Sequence, residues 1–296
     1  MYLRIFRILL YTTALLAIFL GIERLCHLAT DGFSVFKITH DLPQITTQET
    51  PNALIDTILS QKFTYLDSGA QSYVFVSEDS QYVIKFFKFQ HMRIPPWISY
   101  LPLPKSLDNY RNLKITKKNL IISKLLLSYN VAYDLFQKET GLIYLHLNKT
   151  KRPLPLHLID KIGIHYFLEG SNLAFVIQHK GTLLYEVLDQ DMKKGEIQHA
   201  KDIISSLLNL SILRCQKGIG DQDPDFRTNF GLIDNKIVQL DTGRFYLDEK
   251  EKNPEIYKNE LYRITRNFRT WLSKNHPELI SYLDTSIERI KGDDLF

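Results

Sequence analysis

Gly220-Asp221-Gln222-Asp223-Pro224-Asp225-Phe226-Arg227-Thr228-Asn229-Phe230-Gly231-Leu232-Ile233-Asp234-Asn235-Lys236-Ile237-Val238-Gln239-Leu240-Asp241-Thr242-Gly243 is the stretch on which the fold turns. Two short apolar runs flank Asp234 to Lys236, which reads as a three-residue turn between antiparallel strands. Pairing Ile233 with Ile237 carries Asn229 opposite Asp241, with Cβ atoms about 5 Å apart. An amide oxygen beside a carboxylate, with Asp223 or Asp221 nearby, supplies the hard oxygen ligands and negative charge that a phosphate-bound Mg²⁺ requires. Asp221, Asp223 and Asp225 also copy the opening of a calcium loop. Phe226 stands where that loop's glycine belongs and Leu232 where its glutamate belongs, so an EF-hand is rejected. A solvated acidic loop at a strand start is the plainer alternative.

A second hairpin lies upstream. Residues 63–66, 73–77 and 82–89 read as three strands, with Glu78-Asp79-Ser80 as a turn. Leu66-Asp67-Ser68-Gly69-Ala70-Gln71-Ser72-Tyr73-Val74 joins the first two, and the third opens as Tyr82-Val83-Ile84-Lys85. Alternation puts Val83 and Lys85 on one face, where Val74 of the neighbouring strand can join them.

Taken in this order, the two segments resemble the start and the metal-binding part of the protein kinase-like superfamily. In that family a glycine-rich hairpin followed by V-A-I-K covers the nucleotide phosphates. Gly69 matches one of its three glycines, with Asp67 and Ser72 in the other two places. The resemblance implies that Gly69, Ser72, Val74, Val83 and Lys85 bind ATP, with Lys85 reaching the α and β phosphates. It implies Asn229 and Asp241, the latter in Asp241-Thr242-Gly243, as Mg²⁺ ligands. A catalytic aspartate that takes the acceptor's proton belongs five residues before the asparagine, where this chain has Pro224. Asp223 is the first choice for that role and Asp221 the second. Glu139, ahead of Asp134, would offer a carboxylate to Lys85, and Phe175-Val176-Ile177-Gln178 leading into His179-Lys180-Gly181 resembles the hinge. Ile219-Gly220 replaces the family's His-Arg, so control through an arginine that pairs with a phosphorylated loop is not expected.

About fifty residues follow Asp241-Thr242-Gly243, without an Ala-Pro-Glu. That resembles the reduced, atypical branches of the superfamily. The implied fold is α+β, bilobal and kinase-like with an N-terminal hydrophobic helix. Residues 51–180 would form the N-terminal lobe and 181–296 a mostly helical C-terminal lobe. The implied function is a membrane-tethered, ATP- and Mg²⁺-dependent phosphotransferase whose acceptor is unknown. The alternatives are a pseudokinase acting as a protein-interaction module, or a nucleotidyl transferase using the same residues.

The connecting segments fit this plan. Residues 90–119, with Pro95, Pro96, Pro102 and Pro104, read as an irregular basic insertion. Its Trp97, Tyr100 and Tyr110 suit an anionic membrane surface or a cap on the nucleotide, and a packed loop is the plainer reading. Residues 119–139 have helical spacing stopped by Gly141; strands are predicted around 158–168 and 173–178. Helices are predicted over 183–193 and 196–217, and two more in the last forty residues, split near His276-Pro277. None of the nine histidines has metal or triad spacing.

At the N-terminus residues 8–22 carry no charge, after Arg4 and Arg7 and before Glu23 and Arg24. Fifteen helical residues cover about 22 Å, and adding Ile5 and Phe6 with snorkelling arginines brings the roughly 30 Å hydrocarbon core within reach. Residues 1–25 are therefore expected to be a membrane anchor and 26–50 a linker; a cleaved signal and a buried helix are the alternatives. The arginines favour a cytoplasmic N-terminus, whereas ATP chemistry favours a cytoplasmic domain, so the side of the membrane stays open. Composition adds exclusions. Among 296 residues, 37 Lys+Arg against 33 Asp+Glu and 44% hydrophobic content describe an ordinary globular chain, not a disordered one. The mild basic excess is dispersed, so no nucleic-acid partner is expected. Cys26 and Cys215 are too far apart in sequence for a zinc ribbon or a disulfide framework.

Overall fold

The computed structural model describes residues 2–42 and 52–292. In chain order its first elements are α1 (Tyr2–Thr30), α2 (Val35–Ile38), α3 (Ala53–Leu59), β1 (Lys62–Ser68), β2 (Ser72–Ser77), β3 (Tyr82–Phe87), α4 (Phe89–Met92), α5 (Lys105–Thr140) and β4 (Leu142–His146). Then come β5 (Pro155–Ile159), β6 (His165–Glu169), β7 (Phe175–His179), β8 (Thr182–Leu183), α6 (Leu184–Lys194) and α7 (Ile197–Gln216). The last are β9 (Ile219–Asp221), β10 (Phe230–Ile233), β11 (Lys236–Gln239), β12 (Phe245–Leu247), α8 (Pro254–Asn275) and α9 (Ile280–Gly292). The fold is α+β, with an apolar N-terminal helix, and the chain divides into two compact units. One holds residues 1–91 and 148–175, the other 92–147 and 176–296. The partition differs from a single cut at 180, because α5 and β4 lie with the second unit.

In the first unit the strands run in the order β3-β2-β1-β5-β6. β1 pairs antiparallel with β2 and parallel with β5, so the C-terminal ends of β1 and β5 lie at one end of the sheet. Phe63, Phe75, Ile84 and Phe86 alternate along the strands and are fully buried, as a sheet face packed on a core requires. The region expected to be one strand at 158–168 is the β5–β6 hairpin, turning at 160–164.

Two expectations at the N-terminus are corrected. The helix continues past residue 25 to Thr30, and Arg4–Thr30 is long and apolar enough to cross a membrane, with no part of its most apolar window buried. Nor is the segment after it a free linker. Phe33, Ile38 and Leu42 are at most 4% exposed. The Phe33 ring meets Tyr73, Phe75 and Tyr166 edge-on at 5.3, 5.0 and 5.6 Å. Three apolar residues spaced through a polar stretch give the sequence no period, yet each is buried in the structure. Residues 43–50 of the expected linker, and Pro51 where the domain was expected to begin, lie outside the described residues.

In the second unit α5 starts at Lys105, inside the segment expected to be irregular; the prolines stop at Pro104, which caps the helix. Backbone at Phe136 departs from helical geometry (φ −140°), and Gly141 ends the helix in the left-handed region (φ 67°), where a side chain would strain the backbone. β4 follows at once and lies beside β7; the sequence reading had no strand there. α6 buries Leu184, Leu188 and Asp191 at helical spacing and stops at Gly195. α7 buries Ile203, Ile204, Leu207, Leu208, Ser211 and Arg214 along one face. α8 starts at Asn253, whose side chain accepts from the Glu255 N–H, with Pro254 in the first turn. Helices α6 to α9 thus match the four predicted.

Candidate functional site

The β1–β2–β3 hairpins carry the first set of predicted residues. Val74 stands opposite Lys85 and Val76 opposite Val83. Directly opposed residues share a face, so Val74, Val83 and Lys85 line one side as predicted. Lys85 is 9% exposed and Val83 5%. A bulge between Tyr65 and Asp67 turns the end of β1. Gly69 lies in the loop that follows, and a Cβ there would meet nothing closer than the Ser72 carbonyl at 3.9 Å. The loop is shaped by a residue the sequence reading missed. Lys88, 8% exposed, donates to Ser68 Oγ at 2.6 Å and to the Gly69 carbonyl. Its ammonium also sits 4.5 Å from the centre of the Tyr73 ring. Burial, with Lys37 adding to it, holds the Lys88 ammonium below the usual lysine range.

The second set lies between α7 and β12. Here the predicted register is corrected. Ile233 pairs with Lys236, and Phe230 with Gln239, so the loop has two residues, Asp234 and Asn235, both with positive φ (48° and 60°). Asp and Asn tolerate that region, and two-residue turns of this hand match the twist of the strands they join. The slip of one residue puts Asn229 beside Leu240, whose N–H donates to the Asn229 carbonyl at 2.7 Å. The Asp241 N–H points to the same carbonyl at 3.4 Å. Asn229 and Asp241 are thus adjacent through the backbone, offset by one place from the predicted pairing.

Asn229, 8% exposed, spans the loop. Its Nδ2 donates to the Asp223 carbonyl at 2.6 Å, and its Oδ1 accepts from the Thr228 hydroxyl at 2.9 Å. Phe226, 1% exposed, pins the middle of the loop against Phe230 and Phe268. With its ends and centre held, the loop displays Asp223 to solvent. Asp241 is also exposed, and its Oδ1 accepts from the Gly243 N–H at 3.0 Å. Burial and the neighbouring Asp241 carboxylate hold the Tyr129 phenol well above its usual range. Asn229 Oδ1 and the Asp241 carboxylate are hard oxygen donors of the kind Mg²⁺ takes.

Asp221 has a different environment from Asp223. It is 4% exposed on β9; its Oδ2 accepts from Gln239 Nε2 at 2.6 Å and faces Arg214 at 3.3 Å. Its Oδ1 accepts from the Asp223 N–H at 2.9 Å. Burial pushes its carboxyl above the usual carboxylate range, against the pull of the Arg214 guanidinium. Arg214 is itself 1% exposed, and its Nε and Nη2 have no hydrogen-bond partner among the described residues. Ser128 of α5 accepts from the Phe245 N–H at 2.7 Å and donates to the Thr242 carbonyl, fixing the backbone after Asp241. Glu139, predicted to face Lys85, lies 3.7 Å from Lys217. Arg214, Gln239 and Ser128 were missed by the sequence reading. Arg214 carried a signal: it continues the buried stripe Leu207, Ser211 of α7, where a charge demands a partner.

The residues define an α+β protein with a lysine-bearing hairpin in one unit and an amide–carboxylate loop in the other. No protein-family model and no curated protein matches the chain in sequence. In structure the chain is similar, at low identity, to solved proteins that include ones named as kinases. The bifunctional kinase-methyltransferase WbdD is 16% identical, covering 75% of this chain and 42% of that one, with a TM-score of 0.35. The ROP18 kinase domain in complex with AMP-PNP and sucrose is 13% identical over 62% of this chain and 51% of that one, with a TM-score of 0.33. Rv3197 from Mycobacterium tuberculosis, in complex with erythromycin, is 14% identical over 77% and 55%, with a TM-score of 0.32. The chain spans about half the length of these structures.

Proposed function

We propose that this protein is an ATP- and Mg²⁺-dependent phosphotransferase of the kinase-like type, tethered to a membrane by α1. The observation that carries the reading is the loop in which Asn229 is bonded both to the Asp223 carbonyl and, through its own carbonyl, to the N–H groups of Leu240 and Asp241. Residues as far apart in sequence as 223 and 241 are joined by a few hydrogen bonds, which suits positioning an acceptor and holding a cation on nearby atoms.

In this reading Asn229 Oδ1 and the Asp241 carboxylate hold Mg²⁺. When bound, the ion would neutralise charge on the transferring phosphoryl group. Asp223 orients the acceptor hydroxyl and takes its proton. Its exposure favours it over Asp221, whose two oxygens are committed to Gln239, Arg214 and the Asp223 N–H. Lys85 aligns the phosphates, and Val74 and Val83 give its face an apolar surface for the base. Gly69 in the loop and Ser72 at the start of β2 belong to the hairpin over the phosphates. Glu139 takes part in nucleotide binding in this reading, and Glu139→Gln should lower nucleotide affinity. The acceptor is not assigned.

Calorimetry of ATP with and without Mg²⁺ tests the reading on the wild type, Lys85→Ala and Asp241→Ala. Metal-dependent binding lost in both variants, each still folded, is the expected result. ATP at 100-fold over Kd should also stabilise the wild type by about 2.7 kcal/mol. Binding without phosphate transfer to any acceptor would favour the interaction-module alternative, and an added AMP on intact-mass analysis the nucleotidyl transferase. A folded wild type that binds no ATP would sink the proposal.

A further inference from the structure

The end of α1 and the tip of the β5–β6 hairpin are fastened to each other. Asp31, the first residue after the helix, accepts from Lys161 in the hairpin turn at 2.8 Å and from the Tyr65 hydroxyl near the end of β1 at 2.9 Å. Both bonds hold the Asp31 carboxyl below the usual range, the lysine contributing most. The next residue is fixed as well: the Gly32 carbonyl accepts from the Tyr73 hydroxyl at 2.7 Å and from Lys37 Nζ at 2.6 Å. Phe33 then enters the core. No slack chain separates helix from sheet.

Length makes this placement informative. Arg4–Thr30 has 27 residues, which at 1.5 Å each is about 40 Å, the thickness of a bilayer including its headgroup layers. A helix of that length ends at the lipid surface, and there the sheet begins. The part of the sheet bound to Asp31 is the turn with Ile162 (53% exposed) and Ile164 (48% exposed) on either side of Gly163. Two exposed isoleucines beside a lysine at a hairpin tip are a composition that the headgroup level of a bilayer accepts.

We infer that the β5–β6 turn is a second membrane contact, with Ile162 and Ile164 inserted at the headgroup level of the same bilayer that α1 crosses. This rests on the anchor reading of α1. The contact fixes the first unit's orientation on the lipid. The C-terminal ends of β1 and β5, and with them the loop at Gly69, face the bilayer, and the Glu78 turn at the other end faces water.

The test uses the full chain in vesicles of phosphatidylcholine and phosphatidylglycerol. Cys26 is replaced by serine, and Cys215, 2% exposed, is left in place. An environment-sensitive dye is attached in turn to Ile162→Cys, Glu78→Cys and Leu16→Cys, and quenching by lipids carrying a nitroxide at the headgroup or in the acyl chain is read. The expected result is headgroup-level quenching at 162 several-fold above that at 78, and acyl-level quenching at 16. Quenching at 16 with 162 as unquenched as 78 would overturn the membrane contact and leave the anchor standing. No quenching at 16 would take both down together.

Discussion

The two loops assigned to nucleotide chemistry are held by opposite means. In the first unit the loop at Gly69 is held from outside, by one lysine reaching across from the end of β3 to Ser68 and Gly69. In the second, the loop from Asp221 to Asn229 is held from beneath by a buried ionic floor of Arg214, Asp221 and Gln239, and from within by Asn229. A clamp made of one flexible side chain can be loosened locally. A buried charged floor cannot be altered without disturbing the unit that contains it, so the two loops should fail in different ways.

The largest effect is expected at the floor. Asp221→Ala leaves the Arg214 guanidinium, 1% exposed, with the Gln239 amide oxygen at 3.2 Å as its remaining hydrogen-bond partner among the described residues. Breaking a buried pair by removing one member costs about 3–5 kcal/mol, so chemical denaturation should show a loss of that size. Asp221→Asn keeps an acceptor for the Asp223 N–H and should lose less. Asp223→Ala, two residues away on the exposed rim, should stay within about 0.5 kcal/mol of wild type, as surface substitutions usually do. Equal stability of Asp221→Ala and Asp223→Ala would remove the distinction between floor and rim.

That contrast also explains what was legible in the sequence. Strand alternation is a local property, so the common face of Val74, Val83 and Lys85 could be read from residue order alone, as could four of the helices in the second unit. The composition of the loop from Asp221 to Asn229 was legible too, but the register of the hairpin after it was not. Whether Asp234-Asn235 closes a loop of two residues or Asp234 to Lys236 one of three depends on the backbone accepting positive φ twice, and apolar spacing on either side permits both. The assembly of the floor was hidden for another reason: Arg214, Asp221 and Gln239 come from a helix and two strands, and although the charge in an apolar stripe marks Arg214 as needing a partner, nothing local names which. At the N-terminus the polar look of residues 26–50 hid Phe33, Ile38 and Leu42, because single apolar residues scattered through a polar stretch leave no period.

The intermediate effect is expected at the clamp. Lys88→Met keeps most of the side chain's volume but removes the ammonium that sits over the Tyr73 ring and donates to Ser68 and Gly69. Hydrogen bonds from a charged group are worth about 1.5–3 kcal/mol, and relief from burying the ammonium offsets part of that. A net loss of about 1–2 kcal/mol is expected, with protease sensitivity appearing first at the loop around Gly69 and not in the second unit. Cleavage that starts in the second unit instead would mean that the lysine supports the whole protein and is no local clamp.

The smallest effect on stability, and the sharpest separation of fold from function, belongs to Gly69→Ala. The backbone there is not among the glycines with positive φ, and the nearest atom to an added methyl is the Ser72 carbonyl oxygen at 3.9 Å, an ordinary contact distance. Neither strain nor crowding in the protein itself argues for glycine, so unfolding free energy should move by no more than about 0.5 kcal/mol and could rise, since alanine restricts the unfolded chain more than glycine does. A ligand changes that balance. Phosphates resting on this loop would come against the space the methyl fills, so ATP affinity should fall while stability does not. If both stay at the wild-type value, the loop at Gly69 is a plain turn and the nucleotide, if it binds, does so without it; if affinity alone drops, the glycine is there for the ligand and not for the fold.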